Sequence, residues 1–143
     1  GSTLQSIDAV DRAGVRIAIS ARSAYDLYLS RILKHATLVR IEGIDAAYRH
    51  FVKEGLEALA GLKPGLIANA DELKGSRILD GRFTTVQQAM GVPVKCQAGA
   101  GYLRQFVEEA KASGFIARLI AKHGVRGLSV APADSMSLHN PAA

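Results

Sequence analysis

A chain of 143 residues, with 48% apolar and 22% charged side chains, suffices for one ordinary domain and is too short for two full ones. With 14 glycines, 4 prolines and a single cysteine, the composition excludes a disordered, collagen-like or disulfide-built chain, and no apolar run reaches the ~18 residues of a membrane helix. Lys plus Arg outnumber Asp plus Glu by 18 to 13, a net charge of +5 scattered in ones and twos, without the basic arm or stripe that marks a nucleic-acid binder. Nucleic acid is therefore not an expected partner. No basic-then-apolar leader stands at the front, where Gly1 and Ser2 read as a cloning remnant.

The leading stretch to Arg12 is polar and reads as a linker. Val15, Ile17 and Ile19 then alternate with smaller or polar residues, the period-two pattern of a strand. Ser20 to Ser23 is a turn, with Ser23 a suitable N-cap for the next helix. Asp26 falls in that helix's first turn and Lys34 and His35 in its last, each on the side the helix dipole favours. Thr37 to Ile41 is a second β-rich run. Gly43 opens a helix whose apolar residues Ile44, Ala47, Tyr48, Phe51 and Val52 share one face, and Gly55 closes it.

Leu56 to Gly61 alternates as a short third strand, and Pro64 suits the start of a helix running to about Leu73. Arg77 to Leu79 is expected as a fourth strand, and Phe83 to Met90 as extended chain. Residues 91–100 read as a loop, followed by a helix from Gly101 to about Ser113 and, beyond Gly114, a short final helix ended by Gly124. The tail after Pro132 is polar and expected to fray. Cys96 has no partner for an internal disulfide, fits either redox compartment, and is expected as a small packing residue near a loop.

This alternation of strand and helix predicts an α/β fold with a small, mostly parallel sheet flanked by helices, followed by a C-terminal helical segment. The expected division is a linker over 1–12, the α/β lobe over 13–90, the helical segment over 91–131 and a flexible tail over 132–143. Parallel sheets bind ligands at the carboxyl ends of their strands, where helix N-termini present free N–H groups. The first such junction, Ser20-Ala21-Arg22-Ser23-Ala24, unites two hydroxyls, a guanidinium and a helix dipole that could meet one carboxylate. The same residues also serve if Ser23 only caps its helix and Arg22 is solvated.

Four stretches carry a family likeness: IDAVDRAGVRIAISARSAYDLYL, FVKEGLEALAG, LKGSRILDGRFTTVQQAMGVPV and YLRQFVEEAKASGFIARLIAKHGV. Together they resemble the second lobe and C-terminal segment of type II periplasmic solute-binding proteins of the polar amino-acid transport class, over about residues 6–131. The resemblance implies a non-catalytic lobe that closes on a small solute, delivers it to the permease of an ABC-type importer, and works in the periplasm without a cofactor. It maps the family's carboxylate-holding turn onto Arg22 and Ser23, flanked by Ser20, Ala21 and Ala24, with Leu62 and Lys63 lining the same mouth after the third strand. Two departures stand out. Arg22 replaces a glycine of the family's turn, and Gly61-Leu62-Lys63 lacks the Asp that holds a ligand ammonium, which favours an anionic or less polar solute over a standard α-amino acid.

The family's first lobe has no counterpart before Thr3, so residues 91–130 would lack the surface they normally pack on. Each large apolar side chain left exposed costs about 1.5–3 kcal/mol, and the chain is expected to self-associate, by exchange of this segment. A stand-alone oligomeric interaction domain is the competing expectation, and a dehydratase-type enzyme on the same fold a weaker one. Catalysis is not expected: His35, His50, His123 and His139 lack metal-ligand spacing, Glu108 and Glu109 diverge on a helix, and no phosphate loop or nucleophile elbow occurs.

Overall fold

The computed structural model describes residues 3–133. It divides into two compact units, Gly1–Val86 and Gln87–Ala143.

The first unit is an α/β fold built on a three-stranded parallel sheet of β1 (Arg16–Ser20), β2 (Thr37–Ile41) and β3 (Ala58–Leu59), in the order β2-β1-β3. Central β1 pairs Ile17 with Leu38 and Ala58, and Ser20 with Ile41. Helices α1 (Ala24–Ile32), α2 (Ile44–Lys53) and α3 (Lys63–Glu72) connect and follow the strands. The chain moves outward from β1 to β2, then back across to β3. Right-handed crossovers therefore put α1 and α2 on opposite faces of the sheet.

Side-chain alternation agrees with that placement. Ile17 and Ile19 form the main core with Tyr25 and Leu29 of α1, joined by Leu4, Val15 and Ala60. Ala18 points the other way, where α2 lies over the sheet with Ala47 buried. Small residues on that face let helix and strand approach closely, while branched and aromatic ones fill the α1 side.

Strand and helix boundaries follow local chemistry closely. Ser23 caps α1, accepting the Asp26 N–H at 3.1 Å. Gly43 and Gly55 bracket α2 as expected, and Pro64 lies in the first turn of α3. Several boundaries differ. Helix α1 ends at Ile32, so Arg31 occupies its last turn and Lys34 and His35 lie beyond it. Their N–H groups and that of Ala36 donate to the Asp11 carboxylate at 2.7–3.1 Å, the cluster that holds Asp11 below the usual carboxylate range. Polar as it is, the leading stretch also contributes Leu4 to the core and a turn of 3-10 helix at Asp8–Val10.

Strand β3 is two residues long rather than six, although the Ala60 N–H still reaches the Ala18 carbonyl at 2.9 Å. So short an outer edge offers no ladder to a neighbour. Accordingly Arg77–Leu79 is not a fourth strand, and the Arg77 guanidinium donates to the Leu4 carbonyl instead. Phe83 forms no strand either; it packs on the core and stacks on Tyr28 with ring centroids 6.1 Å apart.

The second unit is a helical hairpin of α4 (Gln97–Ala112) and α5 (Phe115–Lys122). Helix α4 begins one turn before the expected Gly101. Two glycines made that turn look like a loop, yet their propensity penalty of about 1 kcal/mol each does not stop a sixteen-residue helix. Gly114 joins the two helices in the left-handed region at φ 73°, where a β-carbon would be strained. Cys96, expected to pack, is exposed at the start of α4.

At the amino edge of the sheet, Arg16 ties β1 to the approach to β3. Its N–H and guanidinium give Glu57 three hydrogen bonds of 2.7–3.0 Å, and a fourth reaches the Gly55 carbonyl. These bonds pull the Glu57 carboxyl down from 4.5 to about 2. A carboxyl lowered by folding contributes stability that is complete above about pH 4.5 and is lost as pH falls through about 2. Urea unfolding at stepped pH should therefore lose stability across that window. Glu57→Gln should be less stable than wild type at neutral pH by a few degrees in Tm, and should fall less steeply with acid. Parallel curves for the two proteins would remove Glu57 from this role.

Candidate functional site

Residues Ser20–Ala24 leave the carboxyl end of β1, and Leu62 and Lys63 leave that of adjacent β3. The sheet therefore gathers all seven sequence-predicted site residues on one edge. Because the connections from β1 and β2 diverge to opposite sides, this is also the switch point where parallel sheets leave a crevice beyond their strands.

Each of these residues has a distinct position. Ser20 closes β1 and is buried. Ala21 continues the ladder, its N–H donating to the Ile41 carbonyl at 2.8 Å. Arg22 turns into the left-handed region at φ 61°, the only non-glycine with positive φ among the described residues. Ser23 is the α1 cap and Ala24 its first residue. Leu62 is the N-cap residue of α3 and supplies no side-chain cap, while Lys63 begins that helix and is exposed.

A residue that sequence reasoning took only as a dipole partner organises this turn. The buried Asp26 carboxylate accepts the Arg22 N–H at 2.9 Å, the Arg40 Nε at 2.9 Å and the Ser30 hydroxyl at 3.2 Å. Arg40 comes from β2 and also donates to Ser30 Oγ at 2.7 Å. Burial pushes the Asp26 carboxyl up, but the Arg22 N–H, Ser30 and Arg40 outweigh it and hold it below the usual carboxylate range. Asp26 is thus an ionised acceptor inside the turn. The alternation of β2 carried a usable signal: Arg40 shares the inward face of Leu38, and a charge there requires a partner.

Arg22 reaches away from Asp26. Its guanidinium meets the Glu42 carboxylate at 2.8 Å, directly beyond β2, in an exposed pair that water screens heavily. Glu42 was not singled out from the sequence. Its position one residue after a β-rich run was the available signal.

Around this edge stand Arg22, Arg40 and Lys63 against Asp26, Glu42 and Asp45, a mixed field rather than a basic pocket. Among the described residues no cluster of His, Cys, Asp and Glu has the makings of a metal site, and no helix is long and apolar enough to cross a membrane. An open depression of about 410 Å³ lies at the opposite, amino edge, lined by residues including Arg12, Leu56 and Glu57. Its carboxylate is already engaged by Arg16, so it offers less free chemistry than the carboxyl edge.

No protein-family model, curated protein or solved structure matches this chain. The likeness to solute-binding lobes therefore rests on the residues themselves.

Removing one partner from a buried charge cluster typically costs 3–5 kcal/mol. Since Arg40 is half exposed, Asp26→Ala should lose about 3 kcal/mol, measured by chemical denaturation at neutral pH. Asp26→Asn retains an acceptor for the Arg22 N–H and should lose about half as much. A loss under about 1 kcal/mol for Asp26→Ala would mean that other contacts hold the turn.

Proposed function

We propose that this chain is a non-catalytic solute-binding lobe, taking a small polar or anionic solute at the carboxyl edge of its sheet on behalf of an ABC-type importer. The observation that carries this reading is Arg22. A side chain held in a left-handed conformation beside a sheet's switch point is an unusual placement, and such outliers gather at ligand sites. The glycine expected at this position from the family likeness would adopt the same φ without strain. Arginine there places a guanidinium at the mouth, where it can pair with a ligand carboxylate.

Ser20, Ala21, Ser23 and Ala24 form the rest of that lip, and Leu62 and Lys63 face it from the neighbouring strand end. With no carboxylate at Gly61-Leu62-Lys63 to hold an ammonium, an organic acid or an amino-acid-like anion fits better than a standard α-amino acid. A periplasmic location and a permease partner belong to this same reading.

A thermal-shift panel of amino acids, organic acids and opines tests it. A true ligand should raise Tm by several degrees and saturate, and Arg22→Ala should weaken an anionic ligand by about 1.5–3 kcal/mol, the size of a charge-assisted bond. A panel without any saturable shift would overturn the reading.

A second reading, an oligomeric interaction domain, is favoured by a separate observation. Tyr102, Phe106 and Phe115 of the helical hairpin are 74%, 47% and 45% exposed, more aromatic surface than a small monomer ordinarily leaves open. Self-association would cover these rings, and it is compatible with solute binding. Size-exclusion chromatography with light scattering should then give a dimer or larger species at micromolar concentration; a clean monomer would dismiss this reading.

A further inference from the structure

Two helices begin at the carboxyl edge of the sheet, and their first turns differ. The start of α1 is already provided for: Ser23 caps the Asp26 N–H, and the Asp26 carboxylate occupies the turn by taking the Arg22 N–H. The start of α2 is open. Its N-cap residue is Gly43, at φ 94°, with no side chain to cap the helix and free space where a β-carbon would stand. The first helical bond runs from the Ala47 N–H to the Gly43 carbonyl at 3.0 Å. Consequently the N–H groups of Ile44, Asp45 and Ala46 point out of the helix with no partner among the described residues.

Ser20 supplies an independent observation at the same place. It is only 8% exposed, yet its hydroxyl makes no hydrogen bond to any described residue. That oxygen is not sealed, because no fully enclosed side-chain polar atom lacks a partner. A polar group so deeply placed is ordinarily satisfied. The pleat of β1 fixes its direction. Ile17 and Ile19 face α1, so Ala18 and Ser20 face α2, and Ser20 pairs with Ile41, three residues before α2 begins. The hydroxyl and the open helix turn therefore share one face and one edge. Arg22 arrives from the other side, its bond to Glu42 bringing the guanidinium to the residue before Gly43.

We infer that the oxyanion group of the bound solute, a carboxylate or a phosphate, seats on the Ser20 hydroxyl and the first-turn N–H groups of α2, with Arg22 exchanging Glu42 for it. This inference rests on the solute-binding reading and names the anchor of that site. Glu42 is the placeholder: its carboxylate holds Arg22 in the absence of solute and competes with the incoming anion. Asp45, in the first turn of α2, opposes the anion as well, which limits affinity for an isolated anion and leaves selectivity to the rest of the solute.

The full chain, labelled with nitrogen-15, can be titrated separately with inorganic phosphate and with acetate while amide resonances are followed. Saturating shifts are expected at Ile44, Asp45 and Ala46. The anion that saturates at the lower concentration identifies the group as phosphate or carboxylate. Ser20→Ala and Arg22→Gln should each weaken binding about tenfold, while Glu42→Gln should tighten it a few-fold. Saturation centred on Ala24 and Tyr25, with α2 silent, would overturn the seat and leave the solute-binding reading standing. Unchanged affinity in Ser20→Ala, with an unchanged fold by circular dichroism, would also overturn it. Absence of any saturable shift at α2 with both anions overturns the seat too, and the wider reading falls with it only if the thermal panel is equally silent.

Discussion

The Asp26 carboxylate lies where three elements meet and takes a donor from each: the Arg22 N–H from the turn, the Ser30 hydroxyl from α1 and the Arg40 guanidinium from β2. A buried charge must be paired, so this group dictates the shape of its surroundings. Arg22 must present its N–H inward, and the left-handed conformation at φ 61° delivers it. Such a conformation costs roughly 1–2 kcal/mol for a residue with a β-carbon. The charge-assisted bond it makes possible, worth about 1.5–3 kcal/mol, offsets that cost. With its backbone so fixed, the Arg22 side chain is directed outward to Glu42.

Two other carboxylates act in the same manner elsewhere in the first unit. Glu57 accepts both backbone and guanidinium of Arg16, locking the entry of β1 to the approach to β3. Asp11 gathers three successive N–H groups from the segment after α1, fixing how the chain enters β2. Each gives an ordering bond to backbone that a short three-stranded sheet cannot satisfy by ladder pairing alone. Acidic side chains thus complete the sheet where its strands are too brief.

Satisfying the α1 turn internally has a consequence for the opposite face. The donors at the start of α1 are partly spent on the protein's own carboxylate, whereas those of α2, beside the unpartnered Ser20, are not. A single edge thereby carries one closed helix start and one open one, separated by the thickness of the sheet. The guanidinium of Arg22 stands at their junction, bound on the outside to an exchangeable carboxylate.

From the residues alone, the strands β1 and β2, the Ser23 cap, the glycine limits of α2 and the parallel α/β class could be read, because these depend on period, capping and φ, all local properties. The grouping of Ser20–Ala24 with Leu62 and Lys63 followed from fold class, since strand ends of a parallel sheet must share an edge. Tertiary structure alone decided that Arg77–Leu79 forms no strand, that Leu4 enters the core, and that Asp26 pairs with Arg40 fourteen residues away. Those outcomes turn on which segments meet across the sheet: an edge two residues long cannot recruit a neighbour, and a buried charge selects whichever cation the register places opposite it. Local pattern carries the elements, but pairing between distant residues chooses which polar groups are used up and which remain open.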